Sequence, residues 1–259
     1  MPFTLFLDQC SMVSPNPHFA SARALLARAR VHMAELGTAQ SSPPPWGVQV
    51  RPDVLAGEYV YSLYLDRDAL RKLEPIVADA ANNLIHALDQ IVAAWTRLNS
   101  AERPRDTFYP TVLDEGRFEK GMTKISKYLP DEALLSIRRT RRNQWHLVEH
   151  VALVKELSNS VKHWDLVATE FTPLAVGVAQ TGAQDVTDIP AGHFRLNDRF
   201  EFLRTRMPPG PRIGYQVLVS LRFVGLDSAL ICDPATALRC AADFVEAALA
   251  DSEAICTAN

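Results

Sequence analysis

Apolar residues return at two different rhythms along this chain. Between residues 18 and 36 they recur every three or four positions, at Ala22, Leu25, Leu26, Ala29, Met33 and Leu36. That spacing predicts a helix beginning after the Pro15 and Pro17 start signal and stopping at a Gly37 C-cap. Residues 41–45, Ser-Ser-Pro-Pro-Pro, read as a loop. Two β-forming runs follow, 46–50 and 58–65. In the second, Tyr59, Tyr61, Leu63 and Leu65 alternate with Val60, Ser62 and Tyr64, and the turn over 52–57 predicts a hairpin. A long helical rhythm then covers 69–98, capped by Asp66 or Asp68, with Pro75 able to shift or kink its first turns. Further helices are predicted over 117–128, 131–139 and 144–161, the first two separated by Pro130.

Near residue 164 the pattern shifts towards period two. Strands are predicted over 166–179, 193–205 and 213–224. In the last, Tyr215, Val217, Val219, Leu221 and Phe223 share one face. The Pro-rich loop at 207–211 is expected to join the last two strands as antiparallel neighbours. Asp233 is expected to cap a closing helix over 235–250. The fold class expected is α+β. Residues 1–164 would form a mainly helical bundle carrying a small β-hairpin. Residues 165–259 would form an antiparallel sheet covered by the C-terminal helix, and the two can be one compact unit.

Composition narrows the classes of function. Of 259 residues, 47% are hydrophobic and 22% charged, which suits a globular protein with a real core. The net charge of −3 provides no general excess of cations for phosphates, so nucleic acid is not favoured and RNA would need a local basic patch. Cys10, Cys232, Cys240 and Cys256 form no C-x-x-C pair and read as reduced thiols. The first residues lack a basic start and a long apolar run, so no signal peptide is expected. No apolar stretch reaches the roughly 18 residues of a membrane span. The expected setting is the cytoplasm, without membrane association, and exposed helix faces leave homo-oligomerisation open as the other partner reading.

Three short stretches carry a resemblance. They are Asn83-Leu84-Ile85-His86-Ala87-Leu88-Asp89-Gln90, then Phe108-Tyr109-Pro110, then residues 154–164 with Leu157, Asn159, Lys162 and His163. With the β-rich tail and closing helix, they resemble a family of uncharacterised bacterial proteins common in actinobacteria. Its motifs read Asn-Leu-Arg-x-x-Leu-Asp-His, Phe-Pro and Asn-x-x-Lys-His-Arg. Ile85, Gln90 and Trp164 stand here where that family has Arg, His and Arg. The resemblance spans nearly the whole chain and implies architecture more than activity. The Arg-x4-His spacing of the family helix is also similar to that of the HEPN class of helical RNases and nucleotide-binding proteins.

Four constellations could carry chemistry. Arg141 and His146 have four residues between them, as in a HEPN-type pair. A histidine can act as acid or base on a ribose 2′-hydroxyl while an arginine holds the phosphate. Arg138, Arg139, Lys120, Lys124 and Lys127 add positive charge. The plainer reading is a basic helix end facing solvent. His146-Leu147-Val148-Glu149-His150 has the form H-x-x-E-H. On a helix, His146 and His150 can share a zinc ion that Glu149 would serve by activating water. A third ligand is not supplied by spacing, since Glu156 follows too closely and Glu170 falls on a predicted strand. The plainer reading is a polar helix face.

Asn159, Lys162 and His163 form the third set, on one helical face near a C-terminus. They would either cap the helix or line a ligand pocket between the two halves. The fourth is the stripe of Asn82, His86 and Asp89 beside Asn83 on the long helix. If buried it must be hydrogen-bonded, and a contact with Asn159 and His163 is the binding site these residues favour. The alternative is an exposed polar face. Walker, G-x-G-x-x-G and G-x-S-x-G motifs are absent, glycine is scarce, and no cofactor is expected. The favoured function is a soluble ligand- or protein-binding module. An RNase using Arg141 and His146, and a metal-dependent hydrolase on His146, Glu149 and His150, are the alternatives.

Overall fold

The computed structural model describes residues 16–41, 44–99, 107–163, 169–180, 183–190, 193–210, 213–223 and 233–258. Backbone alone is described over 40–41, 160–163, 169–180, 183–186, 195–196, 213–223 and 258. A single 3-10 turn, Pro17–Phe19, leads into helix α1 (Ala20–Ser41), and the Asn16 side chain accepts the His18 amide at 3.0 Å. The expected stop at Gly37 does not occur. Gly37 lacks the left-handed φ that a C-cap glycine uses, and the helix runs through it.

Strands β1 (Trp46–Asp53) and β2 (Glu58–Leu65) form the expected hairpin, in antiparallel register from Trp46↔Leu65 to Asp53↔Glu58. Its turn closes on Gly57 at φ +64°, a left-handed conformation that suits glycine. Asp66 then caps the 33-residue helix α2 (Arg67–Asn99) by accepting the Ala69 amide at 2.9 Å. Pro75 lies inside α2 without ending it.

The Asp114 carboxylate accepts the Arg117 amide at 2.7 Å and starts α3 (Glu115–Ser126). Pro130 precedes α4 (Asp131–Asn143), and Gln144 alone separates α4 from α5 (Trp145–His163). The tail contains β3 (Thr169–Gln180), β4 (Ala183–Asp188), the short α6 (His193–Leu196), β5 (Arg199–Thr205), β6 (Ile213–Phe223) and α7 (Pro234–Ala258). Asp233 accepts the Thr236 amide at 3.0 Å and caps α7 as the sequence predicts.

The protein is α+β, but its strands are partnered differently from the expectation. There are two antiparallel sheets, ordered β1-β2-β5 and β4-β3-β6. The loop after β5 therefore links two sheets and is not a hairpin. β2 leaves an edge with unpaired backbone groups, and β5 covers it, with the Tyr61 and Phe202 rings 6.3 Å apart. Residues 193–196 wind into a helical turn where a strand was expected, with Asn197 donating to the His193 carbonyl at 3.1 Å.

α7 is also placed differently. Its buried residues, among them Leu238, Ala241, Phe244, Val245 and Leu249, belong to the same core as α2. It packs mainly against α5, α1, α2 and α4 and more lightly against β6, so it completes the helical layer. Both β5 and α7 thus reach back across residue 164. The buried face of α2, from Leu70 to Thr96, is the floor against which α1, α5 and α7 lie. Among the described residues, no helix is long and apolar enough to cross a membrane.

Gly37 offers a direct check. A Cβ added there meets nothing within 4 Å. Because the position is helical, Gly37→Ala should stabilise the protein by about 0.5–1 kcal/mol. Chemical denaturation would show this as a rise in midpoint at unchanged slope, whereas a C-cap glycine would be destabilised by the same change.

Candidate functional site

α4 has two faces. Ala133, Ser136, Ile137 and Thr140 are buried. Leu135, Arg138, Arg139 and Arg142 recur at three- and four-residue steps on the outward side. The break at Gln144 then turns the chain so that Trp145, the first residue of α5, stands at the end of this outward row. α3 runs alongside and contributes Phe118 and Glu115. Together they line a groove of about 460 Å³.

The wall between α3 and α4 is built around Arg141. This side chain is 7% exposed in the folded chain, which an arginine tolerates only when its donors are matched. It donates to the carbonyls of Val112 at 2.5 Å and Leu113 at 2.9 Å, and to Glu115 Oε2 at 3.1 Å. Its guanidinium lies 4.2 Å from the Phe118 ring centroid and 5.1 Å from that of Trp145. Arg141 therefore fastens the segment before α3 to α4. Asp89 fastens the same segment from the other side, accepting the Tyr109 amide at 3.0 Å.

The outer arginines differ in how they are satisfied. Arg138 makes a two-pronged pair with Glu119, with Nη2 to Oε2 at 2.7 Å. The pairing holds the Glu119 carboxyl below the usual glutamate range and raises Arg138 further. Arg139 donates to Asp251 of α7 at 3.0 Å, and the Thr140 hydroxyl donates to the same carboxylate at 2.7 Å. Arg142 is exposed and has no hydrogen bond or ion pair among the described residues. Trp145 is 55% exposed and Leu135 64% exposed. The groove thus offers one uncommitted guanidinium beside two exposed apolar side chains.

The four sequence-derived sets fare unequally. Arg141 is a wall residue, and His146 is exposed on the next helix with no hydrogen-bond partner among the described residues. His150 is half-buried and its Nδ1 has no hydrogen-bond partner among the described residues. Among the described residues, no three His, Cys, Asp or Glu side chains gather as metal ligands, so Glu149 with His146 and His150 does not acquire a third. Asn82 does meet α5, but through Ser158, whose hydroxyl donates to Asn82 Oδ1 at 2.7 Å. Asn159 is exposed, as is His86, and Asn83 donates to the Asp79 carbonyl at 2.7 Å. The side chains of Lys162 and His163 lie outside the described residues.

Of the contact expected between the α2 stripe and the Asn159 set, the described residues show Asn82 meeting Ser158, and the Lys162 and His163 part lies outside them. The groove gathers Arg138, Arg139, Arg142, Trp145 and Leu135 instead. The signal for it was in the sequence as the run Leu135-x-x-Arg138-Arg139-x-x-Arg142-x-x-Trp145, read only as a basic cluster. Comparison with protein-family models, with curated proteins and with solved structures finds no match for this chain.

Two outcomes test this geometry. Replacing Arg141 with Met leaves two carbonyls and a carboxylate without their donor, and should cost about 1–3 kcal/mol in denaturant unfolding. Behind the groove, Tyr109 is buried with its ring edge-on to Phe244 at 6.1 Å. Its hydroxyl lies beside that of Thr140. Burial, and then the nearby Asp251 charge, push its ionisation well above the ordinary tyrosine value of 10.0. A raised acid pKa means the contribution is complete below the unfolded value and is lost as pH rises from there towards the folded one. Stability should therefore fall as pH climbs above about 10, and Tyr109→Phe should remove that part of the alkaline loss while leaving neutral-pH stability near wild type.

Proposed function

We propose that this chain is a binding module and that the α3–α4–α5 groove takes an organic anion. The observation that carries this reading is Arg142. It is a cation without a counter-ion among the described residues, on helix α4, beside an indole and a leucine that the core leaves uncovered. An anion would pair with the guanidinium, and its apolar body would cover Trp145 and Leu135. The volume suits a small molecule.

Arg141 favours binding over RNA cleavage. A catalytic arginine must offer its donors to a phosphate. Here they go to Val112, Leu113 and Glu115. His146 has no neighbour among the described residues that would orient its ring for proton transfer.

The first test uses 8-anilinonaphthalene-1-sulfonate, a fluorescent anion with an aromatic body. Saturable binding to the native protein is expected. Arg142→Gln should weaken it roughly ten- to a hundred-fold, the equivalent of one charge-assisted contact of about 1.5–3 kcal/mol. Trp145→Ala should also weaken it, and both variants should melt as wild type does. Binding that is indifferent to both substitutions would place the probe elsewhere and remove the basis for this reading.

A further inference from the structure

The charges around the groove specify more than the sign of its ligand. Arg138, Arg139, Arg141 and Arg142 line it. Three of these four have a carboxylate partner: Glu119 for Arg138, Asp251 for Arg139 and Glu115 for Arg141. Among the described residues one positive charge remains, on Arg142. A polyphosphate or other multiply charged ligand would bring charges that no free cation meets. It would also have to displace carboxylates already held in place, and any left nearby would repel it.

We propose that the groove selects a singly charged aromatic carboxylate and discriminates against dianions such as phosphomonoesters. The inference rests on the groove being the binding site. The carboxylate would sit on Arg142, whose planar fork matches its two oxygens. The ring would lie on Trp145, against Leu135. The Glu119–Arg138 pair is then a specificity device: by holding Arg138 satisfied, it keeps the groove at one net positive charge. Glu119 lies on α3, so it sets the charge of the site without forming its apolar wall.

The experiment compares three probes with the same ring system on the intact protein at pH 8: 2-naphthoate, 2-naphthyl phosphate and uncharged 2-naphthol. Titration calorimetry should rank 2-naphthoate first, at least about tenfold tighter than each of the others. Its affinity should drop about tenfold or more in Arg142→Gln. Glu119→Gln frees a second guanidinium and should narrow or reverse the preference for 2-naphthoate over 2-naphthyl phosphate. A merely sticky apolar surface would not show that change. Both substitutions are on exposed or half-buried side chains, and thermal melts would confirm folding. Tighter binding of the phosphate to wild type, with sensitivity to Arg142 kept, would overturn the monoanion assignment and leave the groove reading standing. Equal binding of all three probes, or no effect of Arg142→Gln, would overturn the groove reading as well.

Discussion

The arrangement depends first on the burial of one side of α2. That face is dominated by small and branched residues: Ala78, Ala80, Ala81, Ala87 and Ala94 alternate with Leu84, Ile85, Leu88, Ile91 and Val92, all almost inaccessible to water. Alanine lets neighbouring backbones approach closely, and the larger residues fill the spaces between. α1, α5 and α7 can therefore lie against a single helix. Phe19 closes one end with its ring edge on Trp95 at 5.9 Å. α7 comes from the far end of the chain, so the core is completed only when the C-terminus returns. Its contact with α4 then brings Asp251 to Arg139 and Thr140. The rear of the groove is in this way set by the packing of the core.

The same logic separates two arginines one residue apart. Arg141 lies on the side of α4 that meets α3, so it must find acceptors, and it finds two main-chain carbonyls that would otherwise want donors. Arg142 is rotated by about 100° on the same helix and faces solvent. One is structural and the other is free to bind. The sequence presents them as identical members of a basic cluster, and only the position of Phe118 and of residues 112–113 tells them apart.

Much of the architecture was legible because it follows from local periodicity. The α2 rhythm, the β1–β2 hairpin and the Asp66 and Asp233 caps could each be read from a few neighbouring residues. Gly37 misled because a glycine ends a helix only if the chain adopts the left-handed conformation there, and α1 has no turn at that point. The partners of β5 and β6 were not legible. Pairing between strands distant in sequence, as β2 with β5, depends on which edge is left open, and alternation within a strand does not encode it. The polar stripe on α2 was expected to meet α5 at Asn159. Its Asn82 meets Ser158, one residue earlier, while the side chain of His163, the other expected partner, lies outside the described residues. The groove was harder still to read. Its residues come from three helices, and its defining feature is a charge without a partner among the described residues, which is a property of the assembled surface.

That surface is what the proposed ligand would meet. Exposed tryptophan and leucine contribute nothing to the core, and their apolar area remains in contact with water in the free protein. The side chains around them are nonetheless restrained. Arg141 is clamped between two rings and three acceptors, Arg138 is held two-pronged by Glu119, and Arg139 is tied to α7. Rotamer freedom has largely been lost on folding at every arginine in the groove except Arg142. A ligand would therefore have to order only one long side chain, and the remaining wall would cost it little entropy. In the proposed reading the ion pairs would serve affinity indirectly: they would bury no ligand surface themselves, but they fix the walls and would leave a single charge for the ligand to neutralise.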